Sequence, residues 1–133
     1  MKPFHLEIVT PDGSAFNGQA ESLLVRTDDG DVEILAGHTD FLASVGTGRA
    51  RITVDGGERF ASCSGGFLTV SGGEVKLVAV TFEFADNIDL DRAERAKENA
   101  EAAISAAKDE RAVSIAKAKL ARAISRISVA KMK

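Results

Sequence analysis

The most constraining feature of this sequence is the position of its glycines and prolines. All 12 glycines and both prolines lie within residues 1–85, and residues 88–133 contain neither. Because glycine and proline mark turns and interrupt helices, the first part should consist of short segments joined by turns. The last part can form long uninterrupted helices. The sequence therefore predicts two structurally different parts, residues 1–85 and residues 86–133.

Residues 1–85 carry the patterns of β-strands. FHLEIVT alternates apolar and polar residues, and RITVDGGERF and FLTVSGGEVKLVAV each place a glycine-rich turn between two apolar runs. Many short strands without a helical period between them are typical of an antiparallel sandwich or barrel. The candidate core residues are Leu6, Ile8, Leu24, Ile52, Val54, Phe67, Leu77 and Val80.

Residues 88–133 predict two helices of about 20 residues each, folded into a hairpin. Thirteen of these residues are alanine, the strongest helix former. Lys108-Asp109-Glu110 separates the helices, with Asp109 as N-cap of the second and Asp86 or Asn87 as N-cap of the first. Because alanine buries little apolar area, we expect the hairpin to be held weakly.

Charge is divided unevenly between the two parts. Residues 1–85 carry 12 acidic and 6 basic side chains, and residues 86–133 carry 8 acidic and 11 basic, for a net charge of −3. Residues 111–133 contain seven basic residues and no acidic one. This asymmetry favours an anionic partner for the last segment, with a solvated lysine-rich helix face as the alternative.

The sequence contains no recognisable catalytic constellation. It lacks a Walker-type glycine loop, an HExxH motif and paired CxxC motifs, so we expect a non-enzymatic protein. Asp28-Asp29-Gly30-Asp31 lacks the distal glutamate of a calcium loop and predicts a turn, and we expect no metal site. The single cysteine, the lack of a signal sequence and the lack of an apolar run of about 18 residues predict a cytoplasmic protein.

Four polar residues of the predicted hairpin are expected at its open end. Folding about residues 108–110 places residues 122–130 beside residues 89–96. Asp89, Arg92, Arg122 and Arg126 then share a pocket suited to a nucleotide, with phosphates on the arginines and the base or ribose on the carboxylate. The alternative is structural, with the aspartate complementing the helix dipole and Arg92 pairing along the helix.

The whole chain resembles the epsilon subunit family of bacterial F-type ATP synthases. The stretches that carry the resemblance are FHLEIVTPDG, GDVEILAGHTDFL, SGGFLTV and IDLDRA, in the family's order, and the ending ARAISRISVAKMK. The resemblance implies an α+β protein, in which an antiparallel β-sandwich of about ten strands precedes two antiparallel C-terminal helices. It also implies a rotor subunit on the cytoplasmic face of the bacterial membrane, without a membrane-spanning segment of its own.

The implied partners are the gamma subunit, the membrane-embedded c-ring and the alpha/beta catalytic head. The sandwich would bind gamma and the c-ring and help couple proton flow to ATP synthesis. The extended hairpin would block ATP hydrolysis, with its basic residues facing an acidic segment of the beta subunits. The basic residues in question are Arg111, Lys117, Lys119, Arg122 and Arg126.

In some members of the family the compact hairpin binds ATP through a motif of the form Ile/Leu-Asp-x-x-Arg-Ala. The resemblance implies ATP as a regulatory ligand, with no obligatory cofactor and with the magnesium dependence open. The positions that match the motif, the glutamate that precedes it and the two arginines that assist it are Ile88, Asp89, Arg92, Ala93, Glu83, Arg122 and Arg126.

The loop GDVEILAGHTDFL departs from the family pattern. Glu33 stands where the family has a glycine, and Ala36 and Asp40 stand where it has prolines. The resemblance implies that this region contributes to the rotor interface, with Asp31, Glu33 and His38 as its candidate residues.

Two other functions remain open. One is a stand-alone ATP-sensing module outside any synthase. The other is nucleic-acid binding by the basic segment, which the lack of aromatic residues after Phe84 disfavours because bases then have nothing to stack on.

Overall fold

The computed structural model of the chain describes residues 2–132 and contains ten β-strands and two α-helices. The strands are β1 Phe4–Thr10, β2 Gly13–Ala20, β3 Ser22–Thr27, β4 Gly30–Ile34, β5 Phe41–Ser44, β6 Gly48–Val54, β7 Gly57–Ser64, β8 Phe67–Ser71, β9 Glu74–Val78 and β10 Thr81–Phe84. The helices are α1 Leu90–Ala106 and α2 Glu110–Ala130. The predicted α+β architecture is confirmed.

The strands form two five-stranded sheets that pack face to face. Sheet I has the order β2-β1-β9-β8-β5 and sheet II the order β10-β7-β6-β3-β4. Neighbouring strands are antiparallel except β1 and β9, which run parallel. The prediction of an antiparallel sandwich missed this pair because a tight turn fixes the direction of consecutive strands only, and β1 and β9 are far apart in sequence.

The glycine-rich turns form the predicted hairpins. Asp55 and Gly56 join β6 to β7 with φ of 52° and 77°, and Gly72 and Gly73 join β8 to β9 with φ of 57° and 84°. Positive φ at both central residues is the type I′ geometry, whose twist matches that of the flanking strands. These turns fix the register of four strands.

The core lies between the sheets and is built from alternate residues of each strand. Leu6, Ile8, Ile52 and Leu77 are fully buried there, as predicted, and Val54 packs against them while partly exposed. A strand directs successive side chains to opposite faces, so the register decides which residues enter the core.

Three of the core predictions are wrong. In β3 the side chains of Leu23 and Val25 enter the core, so Leu24 between them faces outward and is only half-buried. Phe67, at the start of β8, likewise faces outward and is 45% exposed. Val80 lies in the turn before β10 and is 59% exposed.

The two helices are antiparallel, and α2 lies between α1 and sheet II. Asp109 caps α2, as predicted, by accepting a hydrogen bond from the Ala112 amide at 2.7 Å. The N-cap of α1 is Asp89, which accepts from the Arg92 amide at 3.1 Å, and not Asp86 or Asn87. The reason is that residues 85–87 form a 3₁₀ turn before the helix begins.

Neither helix of residues 2–132 is long and apolar enough to cross a bilayer. Whether residues 1–85 and 86–133 are independent domains stays a prediction.

Candidate ligand cleft between the sandwich and the hairpin

The C-terminal end of α2 is attached to sheet II by a small apolar cluster. Its buried members and the two partly buried side chains packed against them are Ala85, Ile88, Val129, Ala130, Phe60 and Leu90. This cluster is separate from the sandwich core, and two of its four buried members are alanines. Because the apolar area is limited, the docking contributes less free energy than a helix seated in a main core would.

Two polar contacts add to this attachment. The hydroxyls of Ser62 on β7 and Ser125 on α2 lie 2.8 Å apart, and both residues are buried. Glu83 on β10 pairs with Arg126 on α2: Nη2 donates to Oε2 at 3.2 Å, and Nε lies 2.9 Å from Oε1. The Nε atom is buried and makes no hydrogen bond of good geometry, so its contact with Glu83 is the ion pair alone.

A cleft of about 370 Å³ opens beside these contacts, between sheet II and the two helices. This volume is in the range of ligand-binding pockets, about 300 to 1,000 Å³. The residues that line the cleft are Ser62, Thr81, Glu83, Ala96, Asn99, Ala100, Ala103, Lys119, Arg122, Ala123 and Arg126. A ligand here would touch the sandwich and both helices at once.

The cleft is electropositive. It contains three cationic side chains, Lys119, Arg122 and Arg126, and one carboxylate, that of Glu83. Glu83 offsets the charge of Arg126, whereas neither Lys119 nor Arg122 forms an ion pair within residues 2–132. Two unpaired cations facing a cleft of this size suit a phosphate-bearing ligand.

The structure brings only three of the seven predicted ATP-site residues to this cleft: Glu83, Arg122 and Arg126. The motif residues of the 3₁₀ turn and α1 lie elsewhere. Ile88 belongs to the apolar cluster, Asp89 caps α1, Arg92 is exposed and Ala93 is buried. Their role in binding ATP stays a prediction.

The separation of Arg92 from the α2 arginines has a simple geometric cause. Helical side chains lean toward the N-terminus of their own helix. In an antiparallel hairpin, side chains of α2 therefore lean toward the tip, while Arg92 on α1 leans away from it. Arg122 and Arg126 consequently lie beside residues 96–103 of α1 instead of residues 89–96.

Sequence reasoning did not assign Asn99 and Lys119 to the ligand site, although both line the cleft. A signal was present on α1, because Ala96, Asn99 and Ala103 recur at spacings of three and four and so share one helix face. Lys119 lies three residues before Arg122, on the same face of α2.

The predicted inhibitory residues of α2 divide between two surfaces. Arg111 and Lys117 are exposed and do not line the cleft, whereas Lys119, Arg122 and Arg126 do. In this compact arrangement the cleft therefore holds three of the five basic side chains.

The predicted rotor-interface residues lie on β4 and in the loop that follows it. Asp31 accepts from Arg26 Nε at 2.6 Å, and Glu33 pairs with Arg51. His38 Nδ1 donates to the Thr39 carbonyl at 2.7 Å, and its ring packs edge-on against Phe41 with centroids 5.4 Å apart. Their contact with other subunits stays a prediction.

The outward face of sheet I exposes apolar side chains near this loop. Leu42 on β5 is 72% exposed, and Phe67 on the adjacent β8 is 45% exposed. The strand register pairs Leu42 with Thr69 and Ser44 with Phe67, so these two apolar side chains share a face two residues apart. An exposed apolar face of this kind is typical of a protein contact.

Cys63 is buried in the sandwich core. Burial raises the pKa of the Cys63 thiol to about 12, so this thiol stays protonated at neutral pH. Residues 2–132 contain no group of three or more His, Cys, Asp or Glu side chains that could hold a metal ion. The loop at Asp28-Asp29 is the tight turn between β3 and β4.

Comparisons with known proteins agree with this architecture. Residues 3–85 match the β-sandwich domain of the ATP synthase delta/epsilon chain, and residues 86–131 match its long α-helix domain. The ATP synthase epsilon chain of Bacillus velezensis is 38% identical over 130 residues, covering 98% of both chains. That of Levilactobacillus brevis is 41% identical over 129 residues, covering 95% of this chain and 93% of its own length.

Two solved structures share the fold at lower identity. A chain of the Euglena gracilis mitochondrial ATP synthase superposes with a TM-score of 0.82 at 22% identity, covering 98% of this chain and 82% of its own length. A chain from the central stalk and c-ring of the Tetrahymena thermophila enzyme gives 0.67 at 13% identity, covering 96% and 93%. The two family models together with the full-length relatives show that this chain belongs to the ATP synthase delta/epsilon chain family, as an epsilon-type, non-catalytic subunit.

Proposed function

We propose that this chain is a central-stalk subunit whose C-terminal hairpin inhibits ATP hydrolysis when extended and binds ATP when compact. The observation that carries the proposal is the electropositive cleft, which lies where the hairpin meets the sandwich. The cleft exists only while α2 is docked, because sheet II, α1 and α2 all contribute to its wall.

The regulatory step is a shift between two arrangements of the hairpin. A ligand that binds only the docked arrangement stabilises it by RT ln(1 + [L]/Kd), so the docked fraction rises with ATP concentration. Abundant ATP then keeps the hairpin against the sandwich. When ATP falls, the hairpin is released and its basic side chains become available to an acidic surface of the catalytic head.

The sandwich supplies the attachment to the rotor. The exposed apolar face around Leu42 and Phe67, with the adjoining loop that carries His38, is the surface we assign to the gamma subunit and the c-ring. The subunit then helps couple proton movement to ATP synthesis and lies at the cytoplasmic face of the bacterial membrane, held there by the complex alone.

The Ser62–Ser125 contact allows a direct test of the switch. Because the two hydroxyls are 2.8 Å apart, the double variant S62C/S125C is expected to form a disulfide on oxidation and to hold α2 on sheet II. The measurement is ATP hydrolysis by the catalytic head assembled with gamma and the full-length variant. We expect no inhibition by the oxidised form, and inhibition restored on reduction.

The single variants S62C and S125C, treated identically, control for the substitutions and for oxidation. Cys63 is buried, and its side chain is on the opposite face of β7 from Ser62, so it does not compete for the new disulfide. Equal inhibition by the oxidised and reduced double variants would show that the hairpin does not move to inhibit, and the proposed brake would be withdrawn.

The alternative of an ATP sensor outside any synthase is not favoured, because both parts of the chain match ATP synthase family models. A pull-down with the gamma subunit separates the two functions. Retention of the chain by gamma supports the rotor subunit, whereas ATP binding without any retention by gamma supports the sensor. Nucleic acid is not an expected partner.

A further inference from the structure

We propose that Lys119 is a phosphate-binding residue of the cleft and that it selects ligands with a long phosphate chain. The inference rests on the proposed function, since it takes the cleft as the ATP site, and it adds a residue that determines specificity.

The position of Lys119 places a second unpaired cation along the cleft. Lys119 and Arg122 are three residues apart on α2, on one helix face, and both line the cleft. Lys119 and Arg126 are seven residues apart, which is about 10 Å along the helix axis. The three cations therefore form a row that runs from the Glu83 end of the cleft toward the tip of the hairpin.

The charges along this row are not equivalent. Arg126 is held by Glu83, the only carboxylate among the lining residues, so its charge is already offset. Among the described residues, Arg122 and Lys119 have no ion-pair partner, and like charges at this spacing repel. An anion between them removes that repulsion and gains charge-assisted hydrogen bonds.

The neighbours of Lys119 also favour phosphate. Across the cleft α1 presents Asn99, Ala100 and Ala103, none of which carries a charge. None of these residues therefore competes with the phosphate oxygens of a ligand for the ammonium group of Lys119. A single phosphate is satisfied at Arg122, while a triphosphate extends further and reaches Lys119.

The test is calorimetric titration of the full chain with ATP and, separately, with AMP. We expect Lys119→Gln to weaken ATP binding about tenfold, which corresponds to about 1.4 kcal/mol, and to change AMP binding by less than about twofold. Lys119→Arg should restore most of the loss, because it returns the charge. Lys117→Gln is the matched control, since Lys117 is an exposed lysine of the same helix that does not line the cleft.

The outcomes distinguish the inference from the function on which it rests. If the unaltered chain does not bind ATP at millimolar concentration, both the ATP-binding function and the role of Lys119 fail. If the unaltered chain binds ATP and Lys119→Gln matches the Lys117→Gln control, only the role of Lys119 fails. Equal weakening of ATP and AMP contradicts selection by phosphate-chain length, because Lys119 then contributes only a general positive charge.

Discussion

His5 illustrates how a surface residue of this sandwich depends on its cross-strand neighbours. Its Nε2 lies 2.7 Å from Asn17 Oδ1 on β2, and its Nδ1 lies 2.5 Å from Glu74 Oε2 on β9. Both partners are acceptors, so both ring nitrogens donate only when the imidazole is protonated. The hydrogen bonds to Asn17 and then Glu74 accordingly raise the pKa of His5 above 6.5.

The raised pKa predicts a pH dependence of stability. A group whose folded-state pKa is raised contributes its full stabilisation below its unfolded pKa, here 6.5, and loses it as the pH rises through the folded-state value. We expect the unfolding midpoint to fall as the pH rises above 6.5, and this part of the fall to disappear in His5→Gln. The measurement is thermal unfolding of both proteins between about pH 5 and about pH 9.

His38→Gln is the control for replacing a histidine by glutamine, because His38 contacts neither Asn17 nor Glu74. The contacts of His5 stay intact in this variant, so the part of the pH dependence assigned to His5 should remain. If the pH dependence of the unfolding midpoint is unchanged in His5→Gln, the contacts of His5 with Asn17 and Glu74 do not stabilise the fold.

At the scale of elements, Asp89 has an observed structural role and a predicted role in binding ATP. Its carboxylate caps α1 in the structure, and the sequence motif predicts that it also contacts ATP. Asparagine caps a helix about as well as aspartate, whereas alanine costs about 1 kcal/mol. We expect Asp89→Asn to retain the stability of α1 and Asp89→Ala to lower it by about 1 kcal/mol. The measurement is amide hydrogen exchange in α1.

The same pair of variants tests the predicted ATP role. If the carboxylate contacts the ligand, Asp89→Asn weakens ATP binding although α1 stays capped. Asp91→Asn is the control, because Asp91 lies in the first turn of α1 and does not cap it. Unchanged ATP affinity in Asp89→Asn would restrict Asp89 to the cap and leave Glu83, Arg122 and Arg126 as the predicted ligand residues that line the cleft.

At the scale of the whole molecule, the charge asymmetry acts between the two parts of the chain. Residues 1–85 have a net charge of −6 and residues 86–133 a net charge of +3, from the counts given above. Their attraction favours the docked hairpin and is screened by salt, because the Debye length falls from about 10 Å at 0.1 M to about 3 Å at 1 M. Docking should therefore weaken as the ionic strength rises.

Hydrogen exchange of α2 amides at low and high salt measures this effect. We expect faster exchange in α2 at high salt and unchanged exchange in β6 and β7, whose hydrogen bonds belong to the sandwich. The variant Glu83→Gln, which removes one attraction between the two parts, should show faster exchange at low salt and a smaller response to salt. Exchange in α2 that does not respond to salt would mean that docking depends on the apolar cluster and the Ser62–Ser125 contact alone.

The local elements could be predicted because their causes lie close together in sequence. The turns at Asp55-Gly56 and Gly72-Gly73, and the Asp109 cap, follow from residues within a few positions of one another. The requirement for glycine at some positions, in contrast, is explained only by residues that are distant in sequence. Gly66 has φ of 99°, and a Cβ there would lie 1.8 Å from the Val78 carbonyl oxygen, a contact made by a different strand.

By itself, the sequence determined the two-part architecture, the helical hairpin, several of the charged residues that line the cleft and, through its motifs, the family. Only the tertiary structure decided the parallel pairing of β1 with β9, the outward orientation of Leu24 and Phe67, and the membership of the cleft. The physical reason is the same in each case. Strand register decides which face of the sheet a side chain occupies, and it can change while the apolar pattern of the sequence stays the same. The lean of helical side chains shifts their positions along the helix axis. Lys119 therefore joins Arg122 at the cleft, while Arg92 faces solvent.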